Sequence, residues 1–79
     1  MPASVDETLA EILSLVLERP VAPGEDLRRE DEARWDSLKH LEIIFATEAA
    51  FGVSFSAEEI GEVMSIGDLR AKVTAADAP

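Results

Sequence analysis

Three side chains able to take part in chemistry stand close together: Asp36, Ser37 and His40, in the run Trp35-Asp36-Ser37-Leu38-Lys39-His40. Read as a hydrolase, they would be an acid, a nucleophile and a base. That reading needs a strand-turn-helix elbow, a pair of oxyanion donors and a walled site, and the flanking sequence offers none of these. The segment instead opens a helical pattern straight after an irregular stretch, which puts Ser37 at a helix N-terminus. Free backbone N–H groups and the positive end of the helix dipole gather there and favour a phosphate ester on such a serine. Asp36 or Ser37 can equally be a plain N-cap, worth about 1 kcal/mol. His40 then reads as a partner-facing contact or a solvated residue. One His without any Cys makes no metal site. The run Glu30-Asp31-Glu32 lacks the alternate spacing and Gly of a calcium loop, so it reads as a solvated charge run.

Composition narrows the partners. The chain has 79 residues, 17 Asp and Glu against 7 Lys and Arg, and a formal net charge of -10. Such an excess of acid argues against nucleic acid and anionic membrane, which recruit dense Lys and Arg, and in favour of basic protein partners. A hydrophobic content of 47% is too high for intrinsic disorder. A chain this short forms one domain, expected to be a monomer, that buries only about 60% of its unfolded surface. Little room remains for a substrate cleft of about 300–1,000 Å³. With no Cys, disulfides and any thiol nucleophile of the protein's own are excluded. No apolar run nears the roughly 18 residues of a membrane span. The first residues carry acids where a signal peptide would be apolar, so a cytoplasmic location is expected.

The elements that must position Ser37 follow from periodicity. Val5, Leu9, Ile12, Leu13, Val16 and Leu17 form one stripe of a first helix, opened by a Ser4/Glu7 capping box and ended before Pro20. Residues 19–35 make an unusually long connection, broken by Pro20, Pro23 and Gly24, with Leu27 and Val21 as its anchors. From Asp36 to Phe51 the pattern is helical and has two apolar stripes. Ile43, Ala46, Thr47, Ala50 and Phe51 form one; Leu38, Leu41 and Phe45 form another, displaced around the axis. Either the stripes merge into one buried face or the second is partly exposed for a partner. Gly52 stops this helix. Two short helices follow, each with a cap pair and a staple: Ser56/Glu59 with Phe55/Ile60, then Ser65/Asp68 with Met64/Leu69. Ile66, Leu69 and Val73 face inward, and residues from Thr74 on read as a frayed tail. The expected fold is all-α, with four helices, a long first loop and a short third helix.

This order of parts resembles the acyl and peptidyl carrier proteins. Asp36-Ser37-Leu38 is similar to their modification motif. Ala50-Phe51-Gly52-Val53 is similar to the family's E-x-x-F-G-[IV] element, and Ser65-Ile66-Gly67-Asp68-Leu69 to its T-[VI]-G-D element. The likeness covers about residues 4–74 of a single carrier domain spanning 1–79, with 75–79 as tail, and implies an acyl-carrier-type four-helix bundle. It further implies that Ser37 is esterified with 4′-phosphopantetheine, donated by coenzyme A through a phosphopantetheinyl transferase. Asp36 would assist that enzyme and its metal ion. The arm's thiol would carry an acyl or aminoacyl group as a thioester, in fatty acid or secondary metabolite biosynthesis. Ser37 is then an attachment point in a non-catalytic protein.

The resemblance also implies a face for a loading ligase and downstream transferases: Leu38, Leu41 and Phe45, with Lys39, His40, Glu42 and Glu48 on the same helix and Glu58 and Glu59, beside Glu62, on the next. Lys39 and His40 after the motif, Trp35 before it, and Ala49 and Ala50 in place of acids depart from the fatty-acid carriers. They look more like stand-alone carriers for specialised acyl groups or amino acids. The competing reading is an unmodified acidic helical module that docks basic partners through Leu38, Leu41 and Phe45.

Overall fold

In a computed structural model describing residues 4–77, the apolar stripe of the N-terminal segment forms helix α1, Val5–Leu17. Ser4 Oγ accepts from Glu7 N at 3.1 Å and Glu7 Oε1 accepts from Ser4 N at 3.3 Å, the reciprocal pair that the Ser4/Glu7 spacing predicts. Leu9, Ala10, Ile12, Leu13 and Leu17 are buried, with Val5 and Val16 packed at the margin. The helix ends at Glu18, a non-glycine residue in the left-handed region at φ 56°. One Arg34 guanidinium nitrogen donates to the Glu18 carbonyl at 2.8 Å and to that of Leu17 at 3.4 Å, satisfying acceptors that the helix end leaves open.

The long connection is ordered by pins placed along it. Val21 is buried and its N–H donates to Ser14 Oγ at 3.0 Å; Leu27 is half-buried against the core. Pro23 and Gly24 occupy the middle of a turn closed by Glu25 N to Ala22 O at 3.0 Å, and φ +85° at Gly24 is the left-handed third position of a type II turn. Arg28 and Ser65 form an isolated antiparallel bridge, through Arg29 N to Met64 O at 2.7 Å and Ile66 N to Leu27 O at 3.0 Å. Asp26 Oδ1 accepts from Gly67 N at 2.8 Å, and a Cβ on Gly67 would lie only 2.9 Å from that oxygen. The backbone approaches the carboxylate closely because residue 67 is glycine. The acidic run is less uniform than its composition implies. A single 3-10 turn, Arg29–Asp31, holds Glu30 and Asp31 in solvent, while Glu32 is half-buried and pairs with Arg19 at 3.5 Å.

Helix α2, Ser37–Phe51, ends at Gly52 with φ 66°. Its buried arc is His40, Ile43, Ile44 and Thr47, with Ala46 and Phe51 half-buried. Ile44 joins the core although the two-stripe pattern did not include it, and Ala50 is exposed although it did. At about 100° per residue, Ala50 lies roughly 70° from the middle of the arc, and it stands in the last turn of the helix. Helix α3, Ala57–Glu62, is the shortest and carries the predicted Ser56/Glu59 capping box. Phe55 is buried and Ile60 half-buried, as the staple requires.

Helix α4, Ile66–Asp77, buries Ile66, Leu69 and Val73. Ser65 Oγ caps Asp68 N at 3.2 Å, but Asp68 reaches back to Met64 N, at 2.8 Å, in place of Ser65 N. The Met64/Leu69 staple does not form as expected: Leu69 is buried and Met64 exposed. The segment Val63-Met64-Ser65 runs extended through the bridge, so its side chains alternate, Val63 and Ser65 inward and Met64 outward. Residues 74–77 continue α4, and positions 78 and 79 lie outside the described residues.

The architecture is all-α. Four helices, with α1 packed on both α2 and α4, enclose a core of Leu9, Leu13, Leu17, Ile43, Ile44 and Leu69. No β-strand occurs among the described residues.

Candidate functional site

Asp36 is the N-cap of α2. Its Oδ1 accepts from Lys39 N at 2.9 Å while its carbonyl accepts from His40 N at 2.8 Å. Ser37 is therefore the first helical residue, and it is exposed. The cap engages the Lys39 N–H and leaves those of Ser37 and Leu38 without an intrahelical acceptor, which is the donor set a phosphate at this place would use. Of the two N-cap candidates, Asp36 is the one that caps, and Ser37 follows it in solvent.

Ser37, Leu41 and Phe45 stand at i, i+4 and i+8 on one side of α2, with Leu38 beside them. Leu38 is 65% exposed, Leu41 41% and Phe45 57%. Of the two possibilities for the second stripe, exposure is the one realised. Lys39 Nζ lies 3.7 Å from Glu42, at the edge of this face, and Glu42 and Glu58 are exposed.

Three residues assigned to the face are engaged within the protein. His40 is only 4% exposed. It lies on the buried side because positions 40, 43, 44 and 47 share the core arc, a spacing already present in the sequence. Glu48 is half-buried and its Oε2 accepts from Phe55 N at 2.7 Å, bracing the turn between α2 and α3. Glu59 closes the α3 capping box and is hydrogen-bonded by Lys72; that ammonium and the Ser56 N–H hold its carboxyl at about 2, below the ordinary 4.5. Exposed acid near Ser37 thus comes from fewer residues than the sequence suggests.

Trp35, two residues before Ser37, is buried at 3% exposure. Its Nε1 donates to His40 Nδ1 at 2.9 Å, the rings tilted by 31°, and His40 Nε2 meets the Ile60 carbonyl at 2.7 Å. The approach to Ser37 is therefore tied through α2 to α3. Sequence reading missed this linkage, which joins three separate parts of the chain.

Other sites are sparse. A shallow groove of about 190 Å³ between α3 and α4, floored by Phe55, Val63 and Ala71, lies apart from Ser37 and is smaller than a usual ligand cleft. Among the described residues no group of three or more His, Asp or Glu could hold a metal ion, and no helix is long and apolar enough to cross a membrane.

No protein-family model, curated protein or solved structure matches this chain.

Proposed function

We propose that the protein is a carrier of the acyl- or peptidyl-carrier kind, holding an acyl or aminoacyl group on a 4′-phosphopantetheine arm attached to Ser37. The observation that carries this reading is an exposed serine at the first position of α2, capped by Asp36 and continuous with the solvent-facing Leu38, Leu41 and Phe45. Attachment forms a bond between Ser37 Oγ and phosphorus as the pyrophosphate bond of coenzyme A breaks, the adenosine bisphosphate leaves and the hydroxyl proton passes to a base of the transferase. When bound, the arm supplies a thiol able to form a thioester, which suits a chain with no Cys of its own.

This chain's part is mechanical and electrostatic. The open N–H groups of Ser37 and Leu38, with the helix dipole, favour the phosphodiester's negative charge. Leu38, Leu41 and Phe45 give partner enzymes an apolar surface, and Glu42, Glu58 and Glu62 give a basic partner charges to meet. Phosphopantetheinyl transferase, a loading ligase and downstream transferases would be the partners, in the cytoplasm. The exposed stripe also suits an unmodified module that docks basic proteins, and one experiment separates the two. The purified protein is incubated with coenzyme A, magnesium and a broad-specificity phosphopantetheinyl transferase, and its intact mass is measured. Gain of one phosphopantetheinyl group, absent in Ser37→Ala, is expected. No gain, with a transferase active on a control carrier, overturns the carrier reading in favour of the unmodified module.

A further inference from the structure

An indole N–H can only donate and a backbone carbonyl can only accept. Placed between Trp35 Nε1 and the Ile60 carbonyl, His40 must accept at Nδ1 and donate from Nε2. One neutral tautomer does both; the other neutral tautomer does neither and the imidazolium keeps only the Nε2–H donation, because each turns an Nδ1–H against the indole N–H. The geometry points to His40 as a positioning residue for Ser37: its neutral Nε2–H ring ties the chain two residues ahead of Ser37 to α3, so that serine, stripe and α3 meet the modifying enzyme in one fixed arrangement. This inference rests on the reading of Ser37 as the attachment serine.

Most charged groups on the neighbouring elements have partners of their own. On the connection, Glu32 pairs with Arg19, and Arg34 is held by the carbonyls of Leu17 and Glu18. On α2, Asp36 caps Lys39 N, Lys39 pairs with Glu42 and Glu48 is engaged by Phe55 N. On α3, Glu59 is taken by Ser56 and Lys72, while Glu58 and Glu62 are exposed. On α4, Asp68 holds Met64 N and Arg70 pairs with Asp6; the buried face of α1 carries no charge. A proton on Nδ1 would break the Trp35 bond while leaving the Ile60 bond in place. Protonation of the ring would therefore loosen its hold on the chain ahead of Ser37.

The test compares wild type with His40→Gln, His40→Ala and Trp35→Phe. Gln can accept through Oε1 and donate through Nε2, yet does not titrate. Imidazole nitrogen NMR of the wild type at neutral pH is expected to show the Nε2–H tautomer, and the Nδ1–H tautomer would overturn the assignment. For transfer from coenzyme A, kcat/KM of the wild type divided by that of His40→Gln cancels the transferase's own pH profile. The quotient is expected to fall on acidification, and His40→Ala to lose on the order of tenfold at neutral pH, with His40→Gln restoring most of it. Should His40→Ala fail to fold by circular dichroism, Trp35→Phe, which removes the donor along with part of the buried ring, serves in its place. A folded His40→Ala or Trp35→Phe modified at the wild-type rate, or a flat quotient, overturns the proposal. Should the wild type not be modified at all, the carrier reading fails by itself. The linkage is then judged by emission of Trp35, the one tryptophan in a chain without tyrosine: a shift on acidification in wild type but not in His40→Gln sustains it, and identical behaviour overturns it.

Discussion

The two sides of α2 carry almost the same chemistry and meet opposite fates. His40, Ile43, Ile44 and Thr47 are buried, whereas Leu38, Leu41 and Phe45, about 140° around the axis, face solvent. Hydrophobicity does not separate them, since the exposed side holds two leucines and a phenylalanine and the buried side a histidine and a threonine. Neighbours do. α1 and the turns before α2 and α3 can cover only one side of a helix in so small a domain, and the polar members of that side have internal partners. Thr47 Oγ1 donates to the Ile43 carbonyl at 2.8 Å, and both His40 nitrogens are engaged. Solvent-facing apolar residues remain where burial was geometrically unavailable, and a surface of that kind gives a partner something to bind.

The largest expected effect sets one side directly against the other. Ile44→Ala should lower the unfolding free energy in urea by about 2–5 kcal/mol, the cost of a core cavity. The neighbouring Phe45→Ala should cost less than about 1 kcal/mol, because much of that ring is already wet. Equal losses would erase the distinction between the sides.

A smaller effect concerns α3, which the buried side grips through the Ile60 carbonyl. Glu59 is held at about 2 in the folded chain against an ordinary 4.5, chiefly by Lys72. A carboxyl depressed on folding stabilises the fold above its unfolded value, and the contribution is lost as pH falls from about 4.5 through about 2. Following the Glu59 carboxyl carbon by NMR, the midpoint should climb toward 4.5 in Lys72→Met, with a matching part of the acid sensitivity gone. An unmoved midpoint would mean that Lys72 is not the cause.

The smallest effect asks whether polar atoms hold the buried side. Thr47→Val keeps the shape and removes a hydroxyl whose only observed hydrogen bond runs to a carbonyl in its own helix. Stability within about 1 kcal/mol of wild type is expected in the same urea titrations. A loss near that of Ile44→Ala would show that the side depends on the Thr47 hydroxyl more than on packing.

Much of this was legible in the sequence because it is local. Ser4/Glu7 and Ser56/Glu59 satisfy backbone donors three positions away, the α1 stripe repeats within one helix, and Gly52 and Gly24 are needed where φ turns positive. At the site, Asp36 and Ser37 sit where the spacing put them. The failures share another cause. His40 was read by its polarity rather than its position, although its spacing to Ile43, Ile44 and Thr47 marks the core. Trp35 with His40 and Ile60, Glu48 with Phe55, Glu59 with Lys72 and Asp26 with Gly67 depend on parts of the chain meeting in space. Polar side chains used this way look like surface residues until their partners are placed.

Pinning of the first connection bears on how the chain could be altered. Between the Val21 anchor and the Asp26 contact lies the Pro23-Gly24 turn, exposed and held by two local bonds between Ala22 and Glu25 and by the Arg19–Glu25 pair at 3.6 Å. Doubling a flexible loop costs only about 0.6 kcal/mol in closure entropy. Extra residues spliced in at this turn would leave the bridge at Arg28, the Arg34 contacts and the approach to Ser37 where they are. The same residues added between Arg34 and Asp36 would pull on every one of them. A fluorophore loop or affinity tag placed at Gly24 thus offers a handle that need not touch the face carrying Ser37.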